Sequence, residues 1–248
     1  MPRADPAVNP SAMLTDRERR MPRELTHSFL RSGLFAGLPP PCLLELAELA
    51  ERQRYLRGSV IVHQDEPGDT LHILERGHVK VRVRSGAGDE AIIAVLGPGE
   101  CFGELALLDG APRSATVAAL TDIETLALRR DAFLPFLQAN PLALDGLLRT
   151  LAQRLRRTSG LAADLAFLDT AGLLARALLE LVVSADKAEN GRVEIDLRVN
   201  QSDLASMIGA KRQYVNKLLG TFEDQGILRR DGHIIVIRDL ERLSQRAH

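Results

Sequence analysis

Glu100-Cys101-Phe102-Gly103-Glu104-Leu105-Ala106-Leu107-Leu108, followed by Pro112-Arg113-Ser114-Ala115-Thr116, joins two strand-like patterns. Upstream, Val60/Val62, Leu71/Ile73 and Val79/Val81/Val83 alternate with period two. Downstream, Ala115/Val117 and Ile123/Thr125/Ala127 do the same. Glycines punctuate the runs at Gly58, Gly68, Gly77, Gly86, Gly88, Gly97, Gly99, Gly103 and Gly110. Short strands with turn signals every ~8–12 residues predict a β-sandwich or jelly roll. No helical pattern separates successive strands, which disfavours a doubly wound α/β sheet. The quoted segment also offers a glycine backbone, a carboxylate and, nine residues on, an arginine beside a serine. A phosphate asks for a guanidinium fork with hydroxyl and N–H donors, and a ribose hydroxyl for a carboxylate acceptor. A cyclic nucleotide presents both. The alternative is a structural salt bridge between Glu104 and Arg113.

Beyond Pro141, Leu144, Leu148, Leu151, Leu155, Thr158, Ala162 and Leu165 step alternately by four and three, a heptad seam. Such a helix of about 27 residues would run about 40 Å. Arg149, Gln153, Arg154, Arg156 and Arg157 flank a narrow stripe, which favours a paired coiled coil over an amphipathic helix lying on its own domain. A second apolar helix covers Ala171 to Val183, and a polar loop runs through Asn190-Gly191. Within Gln201–Gly220, Leu204, Ala205, Ile208, Val215 and Leu218 are apolar, with Gly209 between the halves. This is a helix-turn-helix template: Ala205 allows a close crossing and Gly209 supplies the turn. Asn200 or Ser202 can cap the first helix. The second helix presents Lys211, Arg212, Gln213, Asn216 and Lys217; Arg reads guanine and Gln or Asn reads adenine in the major groove. The alternative, a helical hairpin with a solvated face, leaves unexplained the hairpin formed by Ile227-Leu228 and Ile234–Ile237, which completes a winged helix.

Among the 248 residues, 45% are hydrophobic and 26% charged, values of a globular chain. A net charge of −1 excludes a uniformly basic nucleic-acid coat, yet residues 198–248 carry +3 and the remainder −4. The longest apolar runs are four to six residues, too short to span a bilayer. No secretory h-region opens the chain, so the expected location is cytoplasmic. Cys42 and Cys101 are too few for a disulfide framework, an iron–sulfur cluster or a structural zinc site. No nucleophile–base pair or metal set appears, so an enzyme is not expected. The expected class is α+β: a flexible tail over 1–24, a β-roll domain over 25–140, a dimerisation helix over 141–169 and a winged helix-turn-helix over 170–248.

Phe102-Gly103-Glu104-Leu105-Ala106 with Arg113-Ser114-Ala115 resembles the phosphate-binding cassette of cyclic-nucleotide-binding domains. Together with the long helix, the segment Leu165-Ala166-Phe167-Leu168-Asp169 and the winged helix, residues ~30–240 resemble the catabolite activator protein/fumarate-nitrate regulator superfamily of bacterial transcription regulators, above all its cyclic-AMP-binding branch. The resemblance implies a homodimer on a pseudo-palindromic operator of double-stranded DNA, with RNA polymerase as a further partner and cAMP as allosteric ligand. Glu104 would hold the ribose 2′-hydroxyl, Arg113 and Ser114 the cyclic phosphate, and Gly103 and Leu105 would add backbone contacts. Thr158 and Ser159 match the pair that meets adenine, one residue from each subunit; a seam threonine that only sets register is the alternative. The DNA contacts implied are Asn200, Gln201, Ser202, Lys211, Arg212, Gln213, Asn216 and Lys217. The N-terminal cysteine cluster of iron–sulfur relatives and the histidine of haem-binding relatives are absent, so neither group is expected, nor any metal. His63, His72, His78 and His233 read as loop or strand-face residues. The common Arg-Glu-Thr-Val core of the recognition helix stands here as Arg212-Gln213-Tyr214-Val215, and its later Arg as Lys217; guanine reading by Arg212 is kept, while Gln213 replaces a cytosine contact with an adenine one. Rival readings are a regulator independent of effector or responding to cGMP or cyclic di-GMP, a regulatory subunit of a kinase or channel, which has no use for a winged helix, and an enzyme acting on the nucleotide.

Overall fold

The computed structural model describes residues 28–184, 188–189, 192–195, 199–232 and 234–247; the tail expected over 1–24, Asn190-Gly191 and His233 lie outside them. Eight strands form the N-terminal half: β1 (Ala50–Tyr55), β2 (Val60–Val62), β3 (Thr70–Arg76), β4 (Val79–Arg84), β5 (Glu90–Leu96), β6 (Cys101–Phe102), β7 (Thr116–Ala119) and β8 (Ile123–Arg129). They make two four-stranded sheets, β1-β8-β3-β6 and β2-β7-β4-β5, with every pair antiparallel. The α+β class and its roll are as the alternation predicts. In β3 the period of two separates two cores: Leu71 and Ile73 pack outward with Phe35, Phe133 and Leu147, whereas Leu74 packs inside the roll with Phe102, Val117 and Ile123.

Two strands carry no apolar alternation signal. In β1, Ala-Glu-Arg-Gln-Arg-Tyr is an edge strand held by charge rather than apolar burial: Arg52 pairs with Glu75 at 2.7 Å and Arg54 with Glu124 at 3.0 Å. In β5 the continuous apolar run serves two different surroundings. Ile93, Ala94 and Leu96 line a cavity, while Ile92 and Val95 join the core of the C-terminal domain. Of the three prolines after Leu38, Pro39 is the N-cap and the next two open the helix Pro40–Leu49, where the missing N–H costs nothing.

The helix Pro141–Phe167 has 27 residues. One face of it lies on its own domain, as the amphipathic reading expects, and the heptad seam occupies another. Ala143, Gly146 and Leu147 are buried against its own domain; a Cβ at Gly146 would lie 2.1 Å from the Leu34 carbonyl oxygen, so only glycine permits that approach. The seam residues Leu144, Leu148, Leu155 and Leu165 remain 44–69% exposed.

Helix Thr170–Ser184 then leads to β9 (Ala188–Glu189) and β10 (Arg192–Ile195), helices Gln201–Ile208 and Arg212–Asp224, β11 (Leu228–Asp231), β12 (Ile234–Ile237) and helix Leu240–Arg246. The polar stretch read as a loop is thus partly a hairpin, joined to the wing in a sheet of order β11-β12-β10-β9. Gly209 turns the helix pair at φ 63°, a left-handed value favouring glycine. Leu204, Ala205, Ile208 and Val215 are buried as expected, but the next core position is Leu219, at 1%, with Phe222 beyond it; Leu218 is only half-buried. The two domains meet through Ile92, Val95 and Leu120 and through a 2.5 Å ion pair between Lys80 on β4 and Asp203 on the first helix of the motif.

Candidate functional site

A cavity of about 540 Å³ opens between the sheet β2-β7-β4-β5, the turn after β6 and the long helix. Gly103 starts the short helix Glu104–Asp109 at φ 86°. A Cβ there would fall 2.4 Å from Arg113 Nη1 and 2.7 Å from the Thr70 carbonyl oxygen, so the residue must be glycine. Arg113 is 6% exposed. Its Nη1 donates to the Gly103 carbonyl at 2.8 Å and its Nη2 to the Thr70 carbonyl at 2.9 Å. These bonds fix the guanidinium at the cavity wall and leave further N–H donors of the five. Gly68 completes the cradle: a Cβ there would lie 1.9 Å from Arg113 Nε.

Glu104, 1% exposed, does not form the salt bridge with Arg113 that its spacing allowed. Its Oε1 pairs with Arg154, which also donates to the Cys101 carbonyl. Its Oε2 is buried with no hydrogen-bond partner. An unmet carboxylate oxygen is costly; Glu104 is among the residues that line the cavity, and a hydroxyl donor reaching that oxygen would satisfy it. Burial works against the Arg154 charge, but Cys101, Glu104 and Glu100 outweigh it and raise its pKa. Burial lowers that of Arg113, against the pull of Asp69 and Glu104. Burial also pushes the Cys101 thiol up to about 12, so it is a protonated packing residue.

Of the sequence-predicted ligands, Gly103, Glu104, Leu105, Arg113, Ser114 and Thr158 all line this cavity; Ser159 does not and is exposed. Residues that spacing did not reveal also line it: Arg154, and Arg157, which lies 3.9 Å from Glu100 and 3.5 Å from Glu180 of the C-terminal domain. The sequence does hold a signal for Arg154. It sits seven residues after buried Leu147 and three after Leu151, on the face turned to its own roll.

His72 lies inside the roll, stacked on Phe102 with ring centroids 4.9 Å apart. Burial, with help from Arg113, holds its pKa down at about 4 instead of 6.5. Between these values the unfolded chain binds a proton that the folded chain does not, so stability falls as pH drops through that window. The loss should reach about 3 kcal/mol, at about 1.4 kcal/mol per unit. Urea unfolding at pH 7 and pH 4 should show this loss in the wild type and a smaller one in His72→Gln; equal losses would refute it.

On the helix-turn-helix, Asn200 caps the first helix: its Oδ1 accepts from the backbone N–H of Ser202 at 2.8 Å and Asp203 at 3.0 Å, and the Asp203 carboxylate accepts from the Asn200 N–H. Lys211, Arg212, Gln213, Asn216, Lys217 and Ser202 are exposed, as is Tyr214, while Gln201 is half-buried. Arg230 on β11 makes bonds to Glu223, whose carboxyl pKa is lowered by them, and to Asn216.

A jelly roll with a ligand-sized cavity, joined by a long helix to a winged helix-turn-helix, defines a DNA-binding regulator with a small-molecule domain. Residues 52–140 match the cyclic nucleotide-binding domain family and residues 174–246 the Crp-like helix-turn-helix domain family. The chain is 35% identical over 217 residues to the CRP-like cAMP-activated global transcriptional regulator of Mycobacterium tuberculosis, covering 88% of this chain and 97% of that one. It is 32% identical over 185 residues to the cAMP-activated global transcriptional regulator CRP of Haemophilus influenzae, covering 74% and 82%. A solved CRP/FNR family transcriptional regulator from Thermus thermophilus superposes with a TM-score of 0.68 at 27% identity, over 79% of this chain and 98% of that one. The chain belongs to the CRP family of transcription regulators: it is a DNA-binding regulator with a cyclic-nucleotide-binding domain, and its relatives are regulators rather than enzymes. Among the described residues no helix is long and apolar enough to cross a membrane.

Proposed function

We propose that this protein is a homodimeric, sequence-specific transcription regulator whose operator affinity is set by cAMP. The observation that carries the reading is that Glu104, whose buried Oε2 has no hydrogen-bond partner, lines one cavity together with Arg113 and Ser114. An anion with a neighbouring hydroxyl donor satisfies all three at once. The ribose 2′-hydroxyl donates to Glu104, the cyclic phosphate takes Arg113 and Ser114, and Gly103 and Leu105 supply backbone. The base lies toward Leu155, Thr158 and Leu161 on the long helix. Thr158 lines the cavity of its own protomer; Ser159, which does not line it, would meet the ligand of the partner across the seam.

Two protomers paired along Leu144–Leu165 would set their second helices into successive major grooves of a pseudo-palindrome, about 34 Å apart. The contacts are Asn200, Gln201 and Ser202 at the start of the first helix, and Lys211, Arg212, Gln213, Asn216 and Lys217 on the second. RNA polymerase is the further partner. cAMP acts as an effector only insofar as it binds the DNA-competent arrangement more tightly, with a coupling of about 1–3 kcal/mol. Calorimetric titration with cAMP, cGMP and cyclic di-GMP in turn, followed by selection of sites from random duplex DNA with and without each nucleotide, tests this. Saturable heat with cAMP and operator affinity raised roughly 5- to 150-fold is the expected result. No heat with any nucleotide, with full operator affinity in its absence, overturns it.

A further inference from the structure

Asn216 stands on the exposed face of the second helix of the motif, but its side chain is not free to turn. Arg230 Nη1 donates to Asn216 Oδ1 at 2.7 Å, and Gln201 Nε2 donates to the same oxygen at 3.2 Å. A guanidinium has no acceptor, so the amide oxygen, not the amide nitrogen, must face it. Arg230 is itself held. Its backbone N–H donates to Glu223 Oε1 at 2.7 Å, Nε donates to Oε2 at 2.7 Å and Nη2 lies 2.6 Å from the same oxygen. The wing strand therefore aims one arginine N–H at one atom of the reading helix.

A carbonyl oxygen has two lone-pair sites, and both are taken. The bidentate contact of asparagine with adenine needs Oδ1 to accept from N6 while Nδ2 donates to N7. With Oδ1 engaged, only the two Nδ2 hydrogens remain. They match an edge that presents acceptors alone, such as guanine O6 and N7, or the single O4 of thymine. We infer that Arg230 is a specificity-determining positioning residue: by locking Asn216 with its amide nitrogen outward, it makes Asn216 a donor-only reader of guanine or thymine rather than of adenine. The inference rests on the reading that Asn216 meets a base edge, and the two can fail separately.

Sites are selected from random-sequence duplex DNA with the full chain and cAMP, using wild type, Asn216→Ala and Arg230→Lys. Lysine keeps the charge but lacks the fork that engages Glu223 and Asn216 together. Asn216→Ala should flatten the preference at one base pair per half-site. At that pair the wild type should select guanine or thymine, and Arg230→Lys should shift selection toward adenine, within the roughly 5- to 150-fold range of a bidentate contact. If Asn216→Ala changes no position, the placement of Asn216 at a base is wrong. If it flattens a position where the wild type selects adenine, or where Arg230→Lys leaves the preference unaltered, the positioning role is overturned. A second readout needs no DNA. Asn216→Asp puts a carboxylate where Arg230 already donates, so the melting temperature should hold or rise; a fall would mean that the amide nitrogen faces the wing.

Discussion

Arg113→Ala is expected to lower cAMP affinity by about two to four decades, read by calorimetry, while Ser114→Ala lowers it several-fold without touching the fold. Two charge-assisted hydrogen bonds to a phosphate, at about 1.5–3 kcal/mol each, account for about 3–6 kcal/mol. Arg113 also serves the protein, since its Nη1 and Nη2 tie the Gly103 and Thr70 carbonyls together across the mouth of the roll. The alanine variant should therefore melt earlier. Ser114, exposed at the cavity, carries no such burden, and Arg113→Lys keeps the cation while losing the two-carbonyl bridge. The series then separates grip from scaffolding. Unchanged affinity in a folded Arg113→Ala would remove the phosphate role.

The same arginine shows how far the chain can be read without coordinates. Glu104, Arg113 and Ser114 are legible because a glycine-marked turn between alternating strands restricts where its side chains go, and Gly103 has the positive φ that such a turn demands. The cradle behind Arg113 is not: Gly68 looks like any other turn glycine, and the Thr70 carbonyl leaves no trace in the sequence. Its spacing from Leu147 and Leu151 turns Arg154 toward its own roll but does not name its partner. Its real partner, Glu104, depends on the angle at which the long helix docks on the roll, which a one-dimensional period does not contain. β1 is illegible for a different reason. Its alternation is carried by charges that find partners on β3 and β8, Glu75 and Glu124, so hydropathy misses it. On the DNA-reading face the exposed residues follow from helical periodicity, and the Asn200 cap from its place two and three residues before the N–H groups it accepts from, whereas the duty of Asn216 as an acceptor for Arg230 depends on a tertiary neighbour.

The seam of the long helix carries the second large effect. Leu148 and Leu165 are 57% and 54% exposed, and neither lines the cavity. Fully burying a leucine contributes about 1.5–3 kcal/mol; with roughly half of each side chain still to be covered, each contributes about 1–1.5 kcal/mol. In the proposed dimer two protomers would bring four such leucines, so the pair would account for about 4–6 kcal/mol of association, three to four decades in the dimer dissociation constant. Glutamate at both positions removes that burial and sets like charges face to face across the seam. Sedimentation of Leu148→Glu/Leu165→Glu should show a monomer at concentrations where the wild type is dimeric. Because Glu104, Arg113 and Ser114 stay in place, the monomer should still bind cAMP, more weakly to the extent that the partner's Ser159 contributes. It should lose most of its affinity for a two-half-site operator and little for a single half-site. A double variant that sediments as a dimer would show that the protomers pair through another surface, and the exposed stripe of leucines would then need a different occupant.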